Sequence, residues 1–511
     1  MLLQTLIAAL VSFVLVYPFW LYFYALKGLR RFPAPSVIAA LSPLWRIYHN
    51  FRMNQFAEIH NAHDRLGTHV RIAPNHISIT APDAVDEIYG HGANCLKDNW
   101  YDGGAGEVRT MADTRSKEEH QSKRKRMAHI FSQKSIAQLE PLIAERVGCL
   151  FQQVLNASQS SSSINIRRYV NYFTIDVITA IMFGQPARTL EQGNDNVRAE
   201  TIDGKTYTAP MIQSLHDSMR MTVPVGYMPA LHSIRGFIFR IHPLSSSAKR
   251  FEDIVRSFVN QGLSTFTNLE AGEKPPTHFL SQVEHDKIGQ RRNLPFGEIL
   301  AECSGMINAG SDTTSTALTN CIWLLSQPRH QELLARLREE IAPVFTASKD
   351  THVPSFDSLA GLPFLRACID ETLRLRPSSA FGLPREVPAG GKMIAGQFVP
   401  GGTSVSVPTY SILHDKAIFR EPESFRPQRW TDSESSDNLA LMKKYHIPFS
   451  TGPRACIGRN VSYFEMTLVV AVLVHYFDFQ FVDPAAVDHY RVLERVNANP
   501  DELFLLPKLR V

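Results

Sequence analysis

The sequence predicts a mostly helical α+β body with small β-sheets, preceded by one amino-terminal transmembrane helix. Three observations predict it. The opening run from Met1 to Leu26 carries no charged side chain. Two zones read as short strands: Val70, Ile72, Ile77 and Ile79 alternate around Pro74-Asn75-His76, and Val387 to Val407 is rich in Gly, Pro and Val. The rest reads as helical, with no internal period and one low-complexity stretch, Ser158 to Ser163, expected as a surface loop.

The amino-terminal run, taken as a helix, spans ~39 Å at about 1.5 Å per residue, enough for a tilted bilayer crossing. It lacks the basic start of a signal peptide and is too long for one. Lys27, Arg30, Arg31, Arg46 and Arg52 all precede the first acidic residue, Glu58, so the body is expected on the cytosolic side. Arg31-Phe32-Pro33-Ala34-Pro35 reads as a stiff spacer, because each proline fixes its own φ and biases its predecessor. The expected organisation is an anchor over 1–26, a basic, proline-rich linker over 27–50, and one domain over 51–511.

Composition narrows the function. The 511 residues hold 53 Lys+Arg against 49 Asp+Glu, a net charge of +4, which argues against a dedicated nucleic-acid binder. At 44% hydrophobic and 10% aromatic, the chain can bury a large core, which excludes disordered and collagen-like classes. The six cysteines are scattered without a C-x-x-C pair, so a disulfide scaffold is not expected.

One cysteine stands apart. In Phe449-Ser450-Thr451-Gly452-Pro453-Arg454-Ala455-Cys456-Ile457-Gly458, two glycines and a proline enforce a tight loop ahead of a helical stretch from about Asn460 through Phe477. Backbone N–H groups and the helix dipole there are expected to lower the thiol pKa and favour the thiolate. No His or Cys partner lies nearby at zinc-ligand spacing. A single thiolate suits the axial position of a haem, whose porphyrin supplies the other four ligands.

The decapeptide resembles the haem-binding signature F-x-x-G-x-R-x-C-x-G of the cytochrome P450 superfamily. The resemblance implies that Cys456 is the axial ligand of haem b (iron protoporphyrin IX), that Arg454 pairs with a propionate, and that Phe449 packs beside the sulfur. Other segments are similar to the family in the same order. Ala309-Gly310-Ser311-Asp312-Thr313-Thr314 lies within a helical stretch from about Gly297 to Gln327. Its Gly and Ser/Thr run should loosen the helix ladder and open a notch, and the resemblance makes Asp312 and Thr313 an acid–alcohol pair for proton delivery. Glu371-Thr372-Leu373-Arg374 puts opposite charges at i, i+3, and with Arg429 of Phe425-Arg426-Pro427-Gln428-Arg429-Trp430 it resembles a buried network that pins the cysteine loop. His120 and Arg124, one turn apart, and Arg385 resemble the remaining propionate clamps. Lys123, Lys125 and Arg126 read either as a solvated face or as a docking site for an acidic electron donor.

The likeness implies a haem-thiolate monooxygenase that inserts one oxygen atom of O2 into a small molecule. No dinucleotide-binding fingerprint is visible, so electrons are expected from NADPH through a separate cytochrome P450 reductase, with cytochrome b5 as a further candidate partner and the enzyme single-pass in the endoplasmic reticulum membrane. Two rivals are a haem-thiolate isomerase or dehydratase, which needs no reductase, and a haem carrier without turnover. Arg376 to Arg385 and Val387 to Gly391 resemble filamentous-fungal members, both benzoate 4-monooxygenase-like proteins and secondary-metabolite hydroxylases. Expected pocket walls are Met306, Ile307, Ala309, Ser379, Ala380 and Phe381, which suit a hydrophobic or aromatic substrate. Val223 to Ile241 reads either as helix core or as a segment dipping into the bilayer.

Overall fold

The computed structural model describes residues 16, 18–267, 278–285, 292–347, 352–431, 435–488 and 490–510. Helices dominate them, and the longest, Phe296–Leu325, forms the axle of the fold over 30 residues. Ser311, Asp312 and every residue from Thr314 to Leu325 are buried. The hydroxyls inside it bond back one turn: Ser311 Oγ donates to the Ile307 carbonyl at 2.8 Å, Thr313 Oγ1 to Ala309 at 2.8 Å, and Thr319 Oγ1 to Ser315 at 2.6 Å.

These bonds do not open the ladder, and the predicted notch at Gly310 is corrected. The helix runs unbroken through it, and the space above Gly310 is filled by Ile178 of the Ile166–Phe183 helix. A Cβ at Gly310 would lie 2.7 Å from two carbons of that isoleucine. The glycine therefore serves close helix approach. Against the same axle packs Arg459–Tyr476, whose residues from Tyr463 to Val474 are all buried, as befits a helix apolar on every side.

The predicted hairpin forms as His69–Ala73 and His76–Ile79, antiparallel, with an irregularity between Arg71 and Ala73. Both strands are wholly buried: His76–Ile79 is interior to a five-stranded sheet, and the edge strand His69–Ala73 is covered by the helices Val37–Leu41, Leu44–Phe51 and Gln55–Leu66. The order of the sheet is His69–Ala73, His76–Ile79, Ser404–Ser406, Arg385–Glu386, Leu96–Lys97. The Gly/Pro/Val zone thus supplies one strand here, Ser404–Ser406, with Arg385–Glu386 just ahead of it, and a further pair, Lys392–Ile394 with Gln397–Val399. Small sheets near the carboxy terminus, Phe477–Phe481 with Phe504–Leu509 and Val492–Glu494 with Ala498–Pro500, went unread in the sequence.

Of the expected transmembrane helix, residues 1–15 and 17 lie outside the described residues. No helix among the described residues is long and apolar enough to cross a membrane. The segment expected as a stand-off linker packs onto the body instead. Leu29 and Phe32 are buried, the Arg71 N–H donates to Pro33 O at 2.7 Å, and helices Val37–Leu41 and Leu44–Phe51 follow.

Replacing Gly310 by Ala should lower stability by about 1–3 kcal/mol, the usual cost of overpacking. The loss should shrink when Ile178 is trimmed to Ala in the same chain. Chemical denaturation of the two single variants and the double variant checks this.

Candidate active site

The cysteine loop is built on left-handed backbone. Ser450 and Gly452 have φ of 59° and 71°, and a Cβ at Gly452 would sit 2.0 Å from the Tyr89 carbonyl oxygen, so that position accepts glycine alone. A short turn over Gly452–Arg454 follows, the Cys456 N–H donates to Phe449 O at 3.0 Å, and the helix begins at Arg459. The Phe449 ring meets Tyr463 with centroids 5.2 Å apart. Cys456 is exposed while Cys303, Cys321 and Cys368 are buried. Protein nonetheless crowds the sulfur, and burial pushes its thiol pKa up, outweighing the downward pull of the Gly458 and Arg459 N–H groups and the Arg124 charge. The expected net lowering is therefore corrected for the chain alone: the loop donors are in place, and a bound metal cation would favour the thiolate further. Among the described residues no cluster of three or more His, Cys, Asp or Glu could hold a metal ion.

Beside this loop the structure gathers cations. Arg124 Nη1 donates to Ala455 O at 2.8 Å. Arg454 donates to Thr114 O at 2.8 Å and to Arg115 O and Ser116 O at 3.1 Å. Arg385 donates to the Tyr101 hydroxyl at 3.2 Å. His120 is pushed down to about 3 by burial and then by Arg454, Lys97, Arg124 and Arg385. Lys97 is the member that sequence reasoning missed. Strand pairing places it directly opposite Arg385, and burial followed by the Arg385 and Arg454 charges holds its pKa well down. Like charges directly opposite on a sheet destabilise it. A thiol with backbone donors, flanked by cations that repel one another, fits an iron porphyrin carrying two carboxylates.

The basic run Lys123 to Arg126 splits. Lys123 is buried, donating to Glu302 Oε1 at 2.9 Å and to Arg109 O at 2.7 Å, and Arg126 reaches Glu298 Oε1 at 2.5 Å. These two are neither a solvated face nor a docking site: they tie Lys117–Met127 to the long helix. Lys125 alone of the three is exposed.

Glu371 sits fully buried with Arg374 and Arg429. Its Oε1 accepts from Arg374 Nη2 at 3.0 Å, Arg429 Nε at 3.0 Å and Arg426 N at 2.9 Å. Its Oε2 accepts from Arg374 Nε at 2.9 Å and Trp430 Nε1 at 3.0 Å. The two guanidinium groups also donate to the carbonyls of Leu413, Arg420, Glu421 and Ser424. This network fixes the segment between Leu413 and Trp430. Its link to the cysteine loop runs through the neighbouring Asp370, which the sequence did not single out: Tyr463 OH donates to Asp370 Oδ1 at 2.7 Å, and His446 Nε2 meets Asp370 O at 3.0 Å.

Asp312 and Thr313 do not meet. Asp312 is buried, its Oδ1 held by Arg167 Nη2 at 3.0 Å and His216 Nε2 at 3.1 Å, and its Oδ2 by Asn497 Nδ2 at 3.0 Å and Asn499 Nδ2 at 2.7 Å. Despite burial, its pKa stays well below the carboxylate range, with His216 and Arg167 the leading causes. Thr313 turns the other way, and its backbone carbonyl accepts from Ser378 Oγ at 2.8 Å. Of the expected wall residues, Ala309 is exposed, Ser379 half-buried, and Met306, Ile307, Ala380 and Phe381 buried.

The cytochrome P450 family model matches residues 36–494. Among curated proteins, a benzoate 4-monooxygenase of Aspergillus niger is 31% identical over 468 residues, covering 88% of each chain. A cytochrome P450 monooxygenase of Aspergillus oryzae is 30% identical, covering 92% of this chain and 89% of its own. An averantin hydroxylase of Dothistroma septosporum is 29% identical, covering 90% and 82%.

Two variants probe the buried anions. Glu371→Gln leaves two buried guanidinium groups without an anion and should cost about 3–5 kcal/mol, read as a collapse in soluble folded yield; Glu371→Asp should restore part of it. A carboxylate whose folded pKa is depressed adds stability above its unfolded value, 3.8 for Asp312, and loses it as pH falls further. Asp312→Asn should therefore be less stable than the parent near neutral pH, and the gap in urea midpoint should narrow below about pH 4.

Proposed function

This chain belongs to the cytochrome P450 family and is a haem-b monooxygenase, and from that premise we propose that it hydroxylates a small hydrophobic or aromatic molecule with electrons passed from NADPH by a separate cytochrome P450 reductase. The observation that carries this is the Cys456 loop, with backbone donors on its sulfur and cations around it. Bound haem supplies the redox-active iron at which O2 is activated. The chain's own residues do the rest. Gly458 and Arg459 N–H groups orient the sulfur, and Lys97, His120, Arg124, Arg385 and Arg454 would hold the two propionates. Thr313 Oγ1 donates to Ala309 O and so keeps its lone pairs for an incoming donor, suiting it to hold a proton over the pocket. Asp312, fixed as an anion by four donors, positions the helix that carries Thr313.

The substrate reading follows from the apolar walls and the fungal relatives: an aromatic intermediate of the secondary-metabolite kind. The benzoate 4-monooxygenase likeness favours a second reading, hydroxylation of a benzoate-type acid. The surface supports residence at the endoplasmic reticulum membrane with a cytosolic body. Val37, Ile38, Leu44, Tyr48 and Phe51 are exposed, as are Ile234, Phe237 and Ile241. Such exposed apolar side chains on short helices suit entry into the headgroup layer.

Purified Cys456→Ser should lose the absorption band of the reduced carbon-monoxide complex and all reductase-dependent, NADPH-dependent oxygen uptake. Retention of both by that variant would refute the assignment.

A further inference from the structure

Near its carboxy-terminal end the long helix borders a cavity of about 440 Å³, a volume in the range of small-ligand sites. The end of the Pro363–Leu375 helix and the hairpin Val492–Glu494 with Ala498–Pro500 also contribute to its wall. Asn320, on that wall, is seven residues past Thr313, roughly 10 Å along the helix. Neither Ala309, Thr313 nor Cys456 lines the cavity. The segment after Leu375 borders both spaces: Pro377 and Ala380 line the cavity, and Ser378 between them donates to Thr313 O at 2.8 Å.

Buried Trp323, Leu375 and Phe425 give the cavity apolar walls. Of the four charged side chains on it, Arg329 and Asp488 pair at 3.8 Å, and Glu423 is solvated, its side chain 68% exposed. Arg376 is drawn inward. Its guanidinium carbon lies 4.8 Å from the centroid of the Trp323 ring, and no carboxylate lies within 4.0 Å of it among the described residues. Its one side-chain hydrogen bond among them is a long contact from Nη1 to Tyr490 O at 3.5 Å. Tyr410, stacked on His414 with centroids 3.9 Å apart, brings a hydroxyl that makes no hydrogen bond among the described residues. Each of these two groups feels the other's charge, so they converge on one end of the cavity, and both are only half-buried and open to a ligand. A guanidinium fork without an acid, with a phenol beside it and apolar walls beyond, matches a carboxylate on an apolar body. The exposed acids Glu423 and Asp488 oppose a dianion such as a phosphomonoester, because like charges brought together are costly.

We propose that this cavity is an accessory binding site for a small carboxylic acid with an apolar body, held by Arg376 and Tyr410 and filled independently of the space over the haem. The acid is a ligand there and undergoes no reaction. The site stands whichever substrate the enzyme oxidises.

The test uses the full-length, haem-loaded protein, titrated by calorimetry. The probes are phenylacetate with phenylacetamide, octanoate with octanamide, and phenyl phosphate as the dianion. The parent should bind the acid of at least one pair about tenfold more tightly than its amide, and more tightly than phenyl phosphate. Saturating 4-phenylimidazole, which ligates the iron and occupies the space above it, should leave that affinity within about twofold, because uncoupled sites do not compete. Arg376→Gln should remove the preference for acid over amide, Arg376→Lys should restore only part of it, and Tyr410→Phe should weaken the acid about threefold, the loss of one hydrogen bond. Binding of neither acid, equal affinity for acid and amide in both pairs, tighter binding of phenyl phosphate, or expulsion of the acid by 4-phenylimidazole overturns the proposal. So does an unchanged preference in Arg376→Gln. Should that variant fail to fold, the parent's preference, the 4-phenylimidazole competition and the Tyr410→Phe titration decide.

Discussion

A single buried anion, Glu371, organises the side of the molecule that carries the cysteine loop. With no water available, its two oxygens take five donors from Arg374, Arg426, Arg429 and Trp430. Two arginines against one glutamate leave an excess positive charge, and the carbonyls of Leu413, Arg420, Glu421 and Ser424 absorb it. Such a cluster adds little net stability over an apolar core, but it tolerates no missing member. Its value is positional. It forces the irregular segment between Leu413 and Trp430 into one arrangement, and Trp430 passes that order on to His446, with ring centroids 4.9 Å apart, just ahead of the loop.

The long helix shows a second consequence of geometry. Successive residues on an α-helix point about 100° apart, so an acid and an alcohol at adjacent positions cannot address the same space. Thr313 takes the pocket side with Ala309, one turn away. Asp312 takes the side facing the Ile166–Phe183 helix and the carboxy-terminal hairpin, where Arg167 and Asn499 wait. The same rotation that exposes the alcohol therefore buries the acid, and an acid so heavily donated to holds elements together rather than lending protons.

Local patterns were legible in the sequence and distant partnerships were not. The Cys456 loop, the Glu371–Arg374 pair and the long helix each announce themselves within about ten residues, through glycine, charge spacing or apolar run. Arg429 was found only because a family resemblance supplied the distance. Lys97, Asp370, His216 and Arg167 carry no local mark: each acquires its role from a residue far along the chain, as when strand pairing sets Lys97 against Arg385. The basic run Lys123 to Arg126 misled for the opposite reason. Its local look is that of a solvated face, yet Glu298 and Glu302 of the long helix claim two of its charges. The glycine at 310 was read as looseness because sequence cannot show that Ile178 occupies its place.

The cation cluster explains why protein and cofactor should be one thermodynamic unit. Lys97 lies opposite Arg385, both bear on Arg454 and His120, and Asp113, itself pushed up to about 6 chiefly by burial, is the one acid among the leading influences on Lys97. In the chain alone, burial and this mutual repulsion hold the pKa values of Lys97, His120 and Arg454 down. A partner bringing two carboxylates and a metal cation for Cys456 relieves both the crowding of positive charge and the burial of the thiol. Whatever binds only the folded state adds its binding energy to stability. The loop, the clamp residues and the Glu371 network then act on a single equilibrium, in which holding the haem and holding the fold are the same event.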